Sequence, residues 1–303
     1  MRPLVFLPTY IVNTEHKKQN LLFIVAIAAL FVLDIFCWST IVSGRPAVKA
    51  SVHFLDVGQG DSELVVFPDG MTMMTDAGPT NAVLGSLGRA LPGKKYIDLA
   101  LVTHPQADHF NGYNFILDHY DIGAFLYNGR DDDPGVAAWN DLKNKIAAKH
   151  IPFITLAAGD RVYYGENEVD ILSPNPEFAE SAELNDTGLV EMVKTVNFRA
   201  LFTADIGFNI ENWLVANAKD IHADILKVPH HGSKYSSGDA FLRAVDPSVA
   251  VIEVGIKNVY GQPGAATLAR LASSTHAEIF RTDENGNVEV FFESGKFVIV
   301  REK

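Results

Sequence analysis

Three short apolar runs in the sequence each lead into residues that commonly bind metal ions. The runs span residues 97–103, 198–203 and 223–229. The residues that follow them are His104, Asp108, His109, Asp205, His230 and His231. The length and β-branched content of the runs favour strands, and loops at the carboxyl ends of neighbouring strands meet at one edge of a sheet. The chain is therefore expected to fold so that these polar residues lie close together.

Runs of the same kind continue through most of the chain. Predicted strands lie at 51–57, 63–67, 71–75, 98–103, 123–127, 168–172, 191–203, 223–228, 248–254, 278–281, 287–292 and 296–300. Predicted helices lie between them at 136–149, 209–217, 239–245 and 265–272. Turn residues at 68–70, 284–287 and 293–295 predict hairpins. This order predicts mixed sheets flanked by helices in one domain.

The beginning of the chain has a different character. Residues 21–42 are apolar except for Asp34, Ser39 and Thr40. At ~1.5 Å per residue, a helix of this length spans the ~30 Å core of a bilayer. It also lacks the polar face expected of a helix packed on a core. We therefore predict a short N-terminal tail at 1–20, a transmembrane anchor at 21–43 and a soluble domain at 50–303.

A cleaved signal peptide, with its cleavage site at residues 48–50, is the alternative interpretation of this segment. It is disfavoured because a typical signal peptide has an apolar region of only about 7–15 residues. A small excess of basic residues before the segment points the N-terminus to the cytoplasm. The expected protein crosses the membrane once, with its main domain extracytoplasmic.

Composition restricts the classes of function. The chain has 25 Lys and Arg against 37 Asp and Glu, a formal net charge of −12. This balance excludes the overall basic surface of a nucleic-acid coat protein, although a local basic groove stays open. The only cysteine is Cys37, within the apolar segment. A disulfide framework and a cysteine-rich zinc module are therefore excluded.

Taken singly, each residue after the three runs has a structural explanation. Asp108 and Asp205 could cap the helices that follow them, and the adjacent His230 and His231 could lie at the surface. Together, four histidines and two aspartates at strand exits favour a metal site. Imidazole and carboxylate suit Zn²⁺ or Mn²⁺, and no thiolate competes. Two ions would need about six ligands and a bridging carboxylate, a role that suits Asp205.

Such a site would hold an activated hydroxide that attacks an ester or phosphoryl group. A Ser-His-Asp hydrolase is the rival interpretation. The sequence contains no G-x-S-x-G motif, however, and Ser233 lacks the strand–turn–helix context of that nucleophile. A P-loop is absent too.

Five strings resemble a known family. They are FLDVGQGDS (54–62), MTDAG (74–78), LVTHPQADHFNGY (101–113), LFTAD (201–205) and LKVPHHGSKYSS (226–237). In this order, the strings resemble the metallo-β-lactamase superfamily, and more narrowly the C-terminal hydrolase domain of ComEC-type competence (DNA-internalisation) proteins. The resemblance covers about residues 50–300. It implies an α+β fold, a four-layer αββα sandwich, with one or two divalent metal ions at one edge.

The resemblance also implies roles for individual residues. His104, Asp108 and His109 would be metal ligands, and Asp205 would bridge two ions. Either His230 or His231 would complete the ligand set, and the spacing favours neither. The resemblance makes Asp108, Asp205 and His230 the residues closest to the reaction.

Further residues would lie around the metals. Asp56 would orient a ligand by a hydrogen bond, Asn185 would line the cleft and Ser233 would contact substrate oxygens. Two glutamines depart from the family pattern. Gln106 occupies the position of a second histidine in the fuller signature, and Gln262 occupies that of the histidine in Y-G-H-P.

The departures concern one metal site more than the other. No histidine lies between residues 169 and 204, so the first site keeps only His104 and the bridging Asp205. The second site has its full set. One ion, or one tight and one weak, is therefore an open alternative to two.

The resulting hypothesis is a membrane-anchored metal-dependent hydrolase of phosphoester bonds, a phosphodiesterase or nuclease-like enzyme. DNA is the substrate that the resemblance implies, with a separate membrane channel protein as a partner. The strong negative charge argues against tight binding to a phosphate backbone, so a smaller phosphodiester is also open. The alternative hypothesis is a binding module that kept the fold and lost catalysis. Hydrolysis of β-lactams is a weaker third idea, because a fold does not choose a chemistry.

Overall fold

The computed structural model describes residues 14–42, 49–131, 137–218 and 220–303. Most of the tail predicted at 1–20 lies outside these residues, as do Val48 of the alternative cleavage site and Val136 of the predicted helix at 136–149. The chain divides into two units between residues 47 and 48.

The first unit contains helix α1, Thr14–Val42. Its side chains are described from residue 22 to residue 38, and all of these are exposed. In the described part of the chain, no helix is both long and apolar enough to cross a bilayer. The transmembrane anchor at 21–43 therefore stays a prediction.

The described residues of the second unit form fifteen strands. In chain order they are β1 (Ser51–Phe54), β2 (Glu63–Val66), β3 (Thr72–Thr75), β4 (Tyr96–Val102), β5 (Asp121–Tyr127), β6 (Phe153–Thr155), β7 (Arg161–Tyr164), β8 (Asn167–Ser173), β9 (Val190–Lys194), β10 (Arg199–Phe202), β11 (Ile225–Lys227), β12 (Val249–Ile252), β13 (Glu278–Arg281), β14 (Val288–Glu293) and β15 (Lys296–Arg301). They form two mixed sheets. The first has the order β15-β14-β1-β2-β3-β4-β5-β6, and the second has the order β13-β12-β11-β10-β9-β8-β7.

Helices connect the strands. In chain order they are α2 (Ala82–Ala90), α3 (Ala107–Phe110), α4 (Tyr113–Ile116), α5 (Ala137–Ala148), α6 (Pro176–Ala179), α7 (Phe208–Asn217), α8 (Asp239–Val245), α9 (Ala265–Ser274) and α10 (Thr282–Asn285). Short 3₁₀ turns lie at Pro68–Gly70, Leu184–Thr187 and Pro229–Gly232.

The core has three layers of apolar side chains. The middle layer lies between the two sheets, where Phe54 of β1 meets the ring of Phe202 of β10 edge-on. A second layer packs α2, α4 and α5 on the outer face of the first sheet, with Trp139 fully buried. The third packs α7, α8 and α9 on the second sheet, through residues such as Phe241. These layers give the predicted αββα sandwich.

Two local predictions were wrong. The run at 191–203 is not one strand but the antiparallel pair β9 and β10. The backbone turns at Thr195. Its hydroxyl donates to the Phe198 carbonyl and accepts from the Phe198 N–H, and these local hydrogen bonds replace those of a continuous strand. The turn at 284–287 joins no hairpin, since β13 pairs with β12 in one sheet and β14 with β1 in the other. The predicted hairpins at 68–70 and 293–295 are both present.

Candidate metal centre

The polar residues after the three runs converge at one edge of the sandwich. β3 and β4 are parallel neighbours in the first sheet, so the residues that follow them leave in the same direction. β10 and β11 are parallel neighbours in the second sheet. Because the sheets face each other, both pairs of loops meet at a single edge.

Four of the converging side chains form a compact group, which we call the outer cluster: Asp108, His109, Asp205 and His231. One ligand atom from each lies within 4.8 Å of all the others. The Asp205 Oδ2 atom is central, at 3.5 Å from His109 Nε2 and 3.4 Å from His231 Nε2. Asp108 Oδ2 is 3.5 Å from His231 Nε2. These separations are too long for hydrogen bonds and suit donors arranged around an ion.

The second ring nitrogen of each histidine is held from behind. His109 Nδ1 lies 2.7 Å from Asp76 Oδ2. His231 Nδ1 lies 2.9 Å from the Glu253 carbonyl and 3.1 Å from Asp61 Oδ1. All three partner oxygens accept, so Nδ1 donates in each ring. The Nε2 atoms are then the ones that face the outer cluster, in the manner of histidine ligands oriented by carboxylates.

His104 is fixed by the same logic. The Thr103 hydroxyl lies 2.6 Å from Asp76 Oδ2, to which it must donate, and 2.9 Å from His104 Nδ1, from which it accepts. The His104 ring lies against that of His109, with centroids 4.1 Å apart. Its Nε2 atom therefore points away with a free lone pair.

Unpaired buried atoms provide the test of whether a metal fits. The Nε2 atoms of His104, His109 and His231 and the Oδ1 atom of Asp205 are buried without a hydrogen-bond partner. A buried polar atom without a partner costs about 1–3 kcal/mol. One divalent cation would pair several of them at once, and nitrogen and oxygen donors of this type suit Zn²⁺ or Mn²⁺. The residues present therefore fit such an ion.

The charges of the cluster agree with this fit. Burial would raise the pKa of Asp205, but His231 and His109 outweigh it and hold the pKa well below its ordinary value. Burial would lower the pKa of His231, but Asp205 and Asp61 raise it to about 10. Burial, reinforced by His109, lowers the pKa of His104 to about 3. The carboxylates attract positive charge strongly, while His104 stays neutral.

The backbone at this edge is strained. Nine described residues other than glycine have positive φ, and four of these lie on the site loops: Asp76, Ala204, His230 and His231. Each such residue costs on the order of 1–3 kcal/mol, and such strain clusters at functional sites. Gly60 is required for a different reason, because a Cβ there would lie 2.3 Å from the Asp108 carbonyl oxygen.

The two candidate histidines of the last loop have different positions. His231 is buried in the outer cluster, whereas the His230 side chain is 29% exposed, with Nε2 3.7 Å from Asp205 Oδ2. The structure thus places His231 among the donors and His230 at the solvent side.

Asp56 does not have the position that the sequence suggested. Its carboxylate contacts the Lys303 ammonium and the Gly58 backbone. Asp76 and Asp61 lie behind the ligand histidines instead, 2.7 Å from His109 Nδ1 and 3.1 Å from His231 Nδ1. The prediction for Asp56 is corrected to these two residues.

The remaining predicted residues lie on the loops around the cluster. Asn185 has a buried Oδ1 atom without a partner, and the nearby Gly188 lies against His104. Ser233 is buried in the loop after His231, and its Oγ accepts from the Tyr235 backbone. Gln106 precedes the short helix α3 and contributes its backbone rather than its side chain, accepting from the His109 N–H.

Gln262 joins two loops rather than facing the donors. Its amide donates to the His230 carbonyl at 3.1 Å, and its carbonyl accepts from Gln59 at 2.9 Å. Gln59 in turn accepts from the Gly255 backbone. This glutamine therefore ties the loop after β11 to the loop after β1.

Sequence reasoning missed Asp61, Asp76 and Lys227. Asp76 directly follows β3, so the rule that selected the other ligands also selects it. Asp61 and Lys227 belong to two of the strings that carried the family resemblance. Only distances reveal what these side chains contact.

A cavity of about 770 Å³ lies away from this edge, lined by residues such as Lys49, Arg89 and Arg301. It contains none of the predicted ligands. The candidate site is therefore identified by its converging metal-binding side chains and not by the volume of a cavity.

Comparison with known proteins agrees with this geometry. The model of the family described as the metallo-beta-lactamase superfamily matches residues 55–255. ComE operon protein 3 of Bacillus subtilis is 28% identical over 262 residues, which are 80% of this chain and 33% of that protein. Competence protein ComA of Neisseria gonorrhoeae is 26% identical over 254 residues, 80% of this chain and 32% of that protein. The chain thus spans about a third of the length of these curated relatives.

Solved structures show the same fold at low sequence identity. The metallo-beta-lactamase fold protein YhfI of Bacillus subtilis has a TM-score of 0.50 and 11% identity, and the match covers 83% of this chain and all of that one. CmlA, a diiron beta-hydroxylase from Streptomyces venezuelae, has a TM-score of 0.51 and 12% identity, with 85% and 55% covered. The matched family model includes every residue of the outer cluster, and the chain belongs to the metallo-beta-lactamase superfamily.

Proposed function

We propose that the outer cluster is the catalytic metal centre of a hydrolase that cleaves phosphoester bonds. The observation that carries the proposal is the convergence of two buried, unpaired Nε2 atoms, those of His109 and His231, on one aspartate, Asp205. His109, His231, Asp205 and Asp108 supply the metal-binding atoms. His104 would contribute to a second, weaker site that shares Asp205.

The bound ion would supply Lewis acidity and lower the pKa of a water nucleophile. The residues of the chain do the rest. Asp76 and Asp61 hold the two ligand rings in the orientation that directs Nε2 to the ion. His230, exposed beside Asp205, is proposed to contact the substrate and to exchange a proton with it.

The substrate class rests on the relatives and on the rim of the site. The matched relatives include competence protein ComA, and the resemblance to DNA-internalisation proteins makes DNA the first candidate. The loop after His231 presents Lys234 and Tyr235 to solvent, and the loop after Glu253 presents Lys257 and Tyr260. Lysines can contact phosphates, and aromatic rings can stack on bases. We propose a phosphodiester substrate, DNA or a smaller molecule.

Metal content of the purified full chain tests the proposal. After loading with Zn²⁺ or Mn²⁺, we expect one or two ions per chain, and fewer in His109→Ala. His276→Ala is the matched control, because His276 is exposed and lies outside the cluster. Equal metal content in both variants would contradict the assignment.

Activity separates the hydrolase from its alternative. Hydrolysis of a chromogenic phosphodiester and of single-stranded DNA should be lost in Asp205→Asn and kept in His276→Ala. Stoichiometric metal with no hydrolysis of any phosphodiester would favour the binding module instead. Hydrolysis of a β-lactam in place of a phosphodiester would replace the proposed substrate class.

We further propose that residues 21–43 anchor the protein in the membrane, with the hydrolase domain extracytoplasmic and a channel protein as its partner. The apolar run supports the anchor. Alkaline extraction of membranes should leave the protein in the pellet, and protease added to intact cells stripped of their outer layers should digest the domain. Release into the soluble fraction would contradict the anchor.

A further inference from the structure

Lys227 is a lysine in an unusual place. It ends β11 and has no exposed surface. Its ammonium donates to the Asp61 carboxylate and, at 2.7 Å, to the Ala204 carbonyl. It lies 3.8 Å from Asp205 Oδ1. A lysine is almost never fully buried unless it is paired, so this ammonium has a specific role.

The partners of Lys227 connect all three ligand loops. Asp61 contacts His231 Nδ1 through its other oxygen, and its backbone N–H donates to the Asp108 carbonyl. Ala204, with a left-handed backbone, immediately precedes Asp205 and also accepts from the His230 N–H. One ammonium therefore fixes the loop after β10 directly and the other two loops through Asp61.

Lys227 also neutralises an acidic group behind the metal centre. Asp61, Glu63 and Glu253 place one carboxylate oxygen each within 4.8 Å of one another, and all three are fully buried. We call these three residues and Lys227 the inner cluster. The three carboxylates by themselves could hold a divalent ion, but Lys227 already supplies a positive charge to Asp61.

We propose that Lys227 is a positioning residue that occupies the place of a cation in the inner cluster and so keeps the Asp61 carboxylate beside His231 Nδ1 rather than on a metal ion. The inference rests on the proposed metal centre and goes beyond it. Without the ammonium, Asp61 becomes a strong oxygen ligand next to the outer cluster. A metal ion is then drawn inward, and His231 Nδ1 keeps the Glu253 carbonyl but loses the neighbouring carboxylate.

The first test is Lys227→Met, which keeps the length of the side chain and removes its charge. The full chain is loaded with Mn²⁺ or Zn²⁺ alone and its metal content is measured. We expect one ion per chain more than in the wild type, and a changed visible spectrum with Co²⁺ as oxygen replaces nitrogen. The double variant Lys227→Met/Asp61→Asn should lose the extra ion.

The second test does not depend on whether Lys227→Met folds. In Asp61→Asn, the ammonium keeps its ion pair with Asp205 and competes there with the metal, so outer-cluster affinity for Zn²⁺ should fall about 10–100-fold. Adding Lys227→Met to that variant should restore most of the loss. A purely structural role for the pair predicts that the double variant is no better than Asp61→Asn.

Lys194→Met is the matched control, because Lys194 forms an ion pair with Asp170 at the other end of β9 and should leave metal binding unchanged. Unchanged metal content in folded Lys227→Met, or no recovery in the double variant, overturns the inference. Absence of metal from the wild type itself would instead overturn the proposed function. The metal content of Lys227→Met could still be compared with that of the metal-free wild type.

Discussion

The outer and inner clusters are neighbours, and both contain buried carboxylates, but the charges of these carboxylates are balanced in different ways. In the inner cluster, Lys227 balances Asp61, and burial raises the pKa of Glu63 well above its ordinary value and that of Glu253 to about 8, which favours the neutral form of both glutamates. In the outer cluster, no lysine or arginine among the described residues forms an ion pair with Asp108, and the ligand atoms face one another unpaired.

This difference identifies where an external ion belongs. A buried charge is costly unless the protein pairs it or a ligand does. The inner cluster contains its own cation, Lys227, which pairs with Asp61. The outer cluster has histidine donors oriented from behind, and among the described residues its Nε2 atoms and Asp205 Oδ1 have no hydrogen-bond partner. Acidic residues alone therefore do not define a metal site; converging donor atoms without hydrogen-bond partners do.

The largest expected effect comes from removing a donor of the outer cluster. His109→Ala should lower phosphodiester hydrolysis by on the order of 10³-fold or more, because the metal contribution is worth several kcal/mol. Measured kcat/KM, together with metal content, checks this. Activity within tenfold of the wild type would mean that the comparison between the clusters assigns the wrong one to catalysis.

A smaller effect is expected from the carboxylate that orients His109. Asp76→Asn should weaken metal affinity about 10–100-fold, since the hydrogen bonds to His109 and Thr103 change. Asp56→Asn is the matched control, and its affinity should equal that of the wild type because Asp56 contacts Lys303. Competition with a chromogenic chelator measures both. The reverse order of effects would restore the role first predicted for Asp56.

A third prediction concerns Glu191, a buried carboxyl that accepts from Thr75. Burial raises its pKa to about 8 from 4.5. Between these values the folded protein binds a proton that the unfolded chain has lost, so the free energy of unfolding falls by up to about 1.4 kcal/mol per pH unit as pH rises. Glu191→Gln should remove this slope and be relatively more stable at pH 8 than at pH 5.

Denaturant unfolding at several pH values measures the slope. Glu180→Gln, at an exposed position, is the control and should keep the wild-type pH dependence. Parallel curves for Glu191→Gln and the wild type would show that this carboxyl is ionised in the folded protein.

The smallest effect is expected at Gln262, which departs from the family pattern. Gln262→Ala removes two side-chain hydrogen bonds that join the loops of Gln59 and His230. Stability should fall by about 1–2 kcal/mol, while metal content stays the same. A loss of metal in this variant would instead make Gln262 part of the outer cluster.

Much of the fold was predictable because strands of this type have a strong local pattern. β13 and α8 have the predicted bounds. The turns at 68–70 and 293–295 each join two antiparallel strands, as expected. β6 and β7 were missed, since each is short and largely exposed and so lacks an apolar signature. Which sheet a strand joins was also not predictable, as the turn at 284–287 shows, because pairing depends on residues distant in sequence.

For the candidate site, the types and strand-exit positions of the donors were predictable from the sequence, but their relative placement was not. The choice of His231 over His230 depends on backbone angles near +50° at both residues, which no spacing rule gives. The family resemblance implied Asp56 as the residue that orients a ligand, whereas only the distances to the histidine rings identify Asp76 and Asp61. Lys227 carried no signal as a functional residue, since its importance lies in complete burial beside Asp61.

The pairing of β1 with β14 has a consequence for how the protein is made. Ser51 pairs with Phe291, so an early strand receives its second neighbour only after most of the domain has been synthesised. At about 5–20 residues per second, roughly 10 to 50 seconds separate the two strands on the ribosome. During that interval the edge of β1 is open to other chains, and a nascent-chain chaperone that covers it should raise the yield of folded protein.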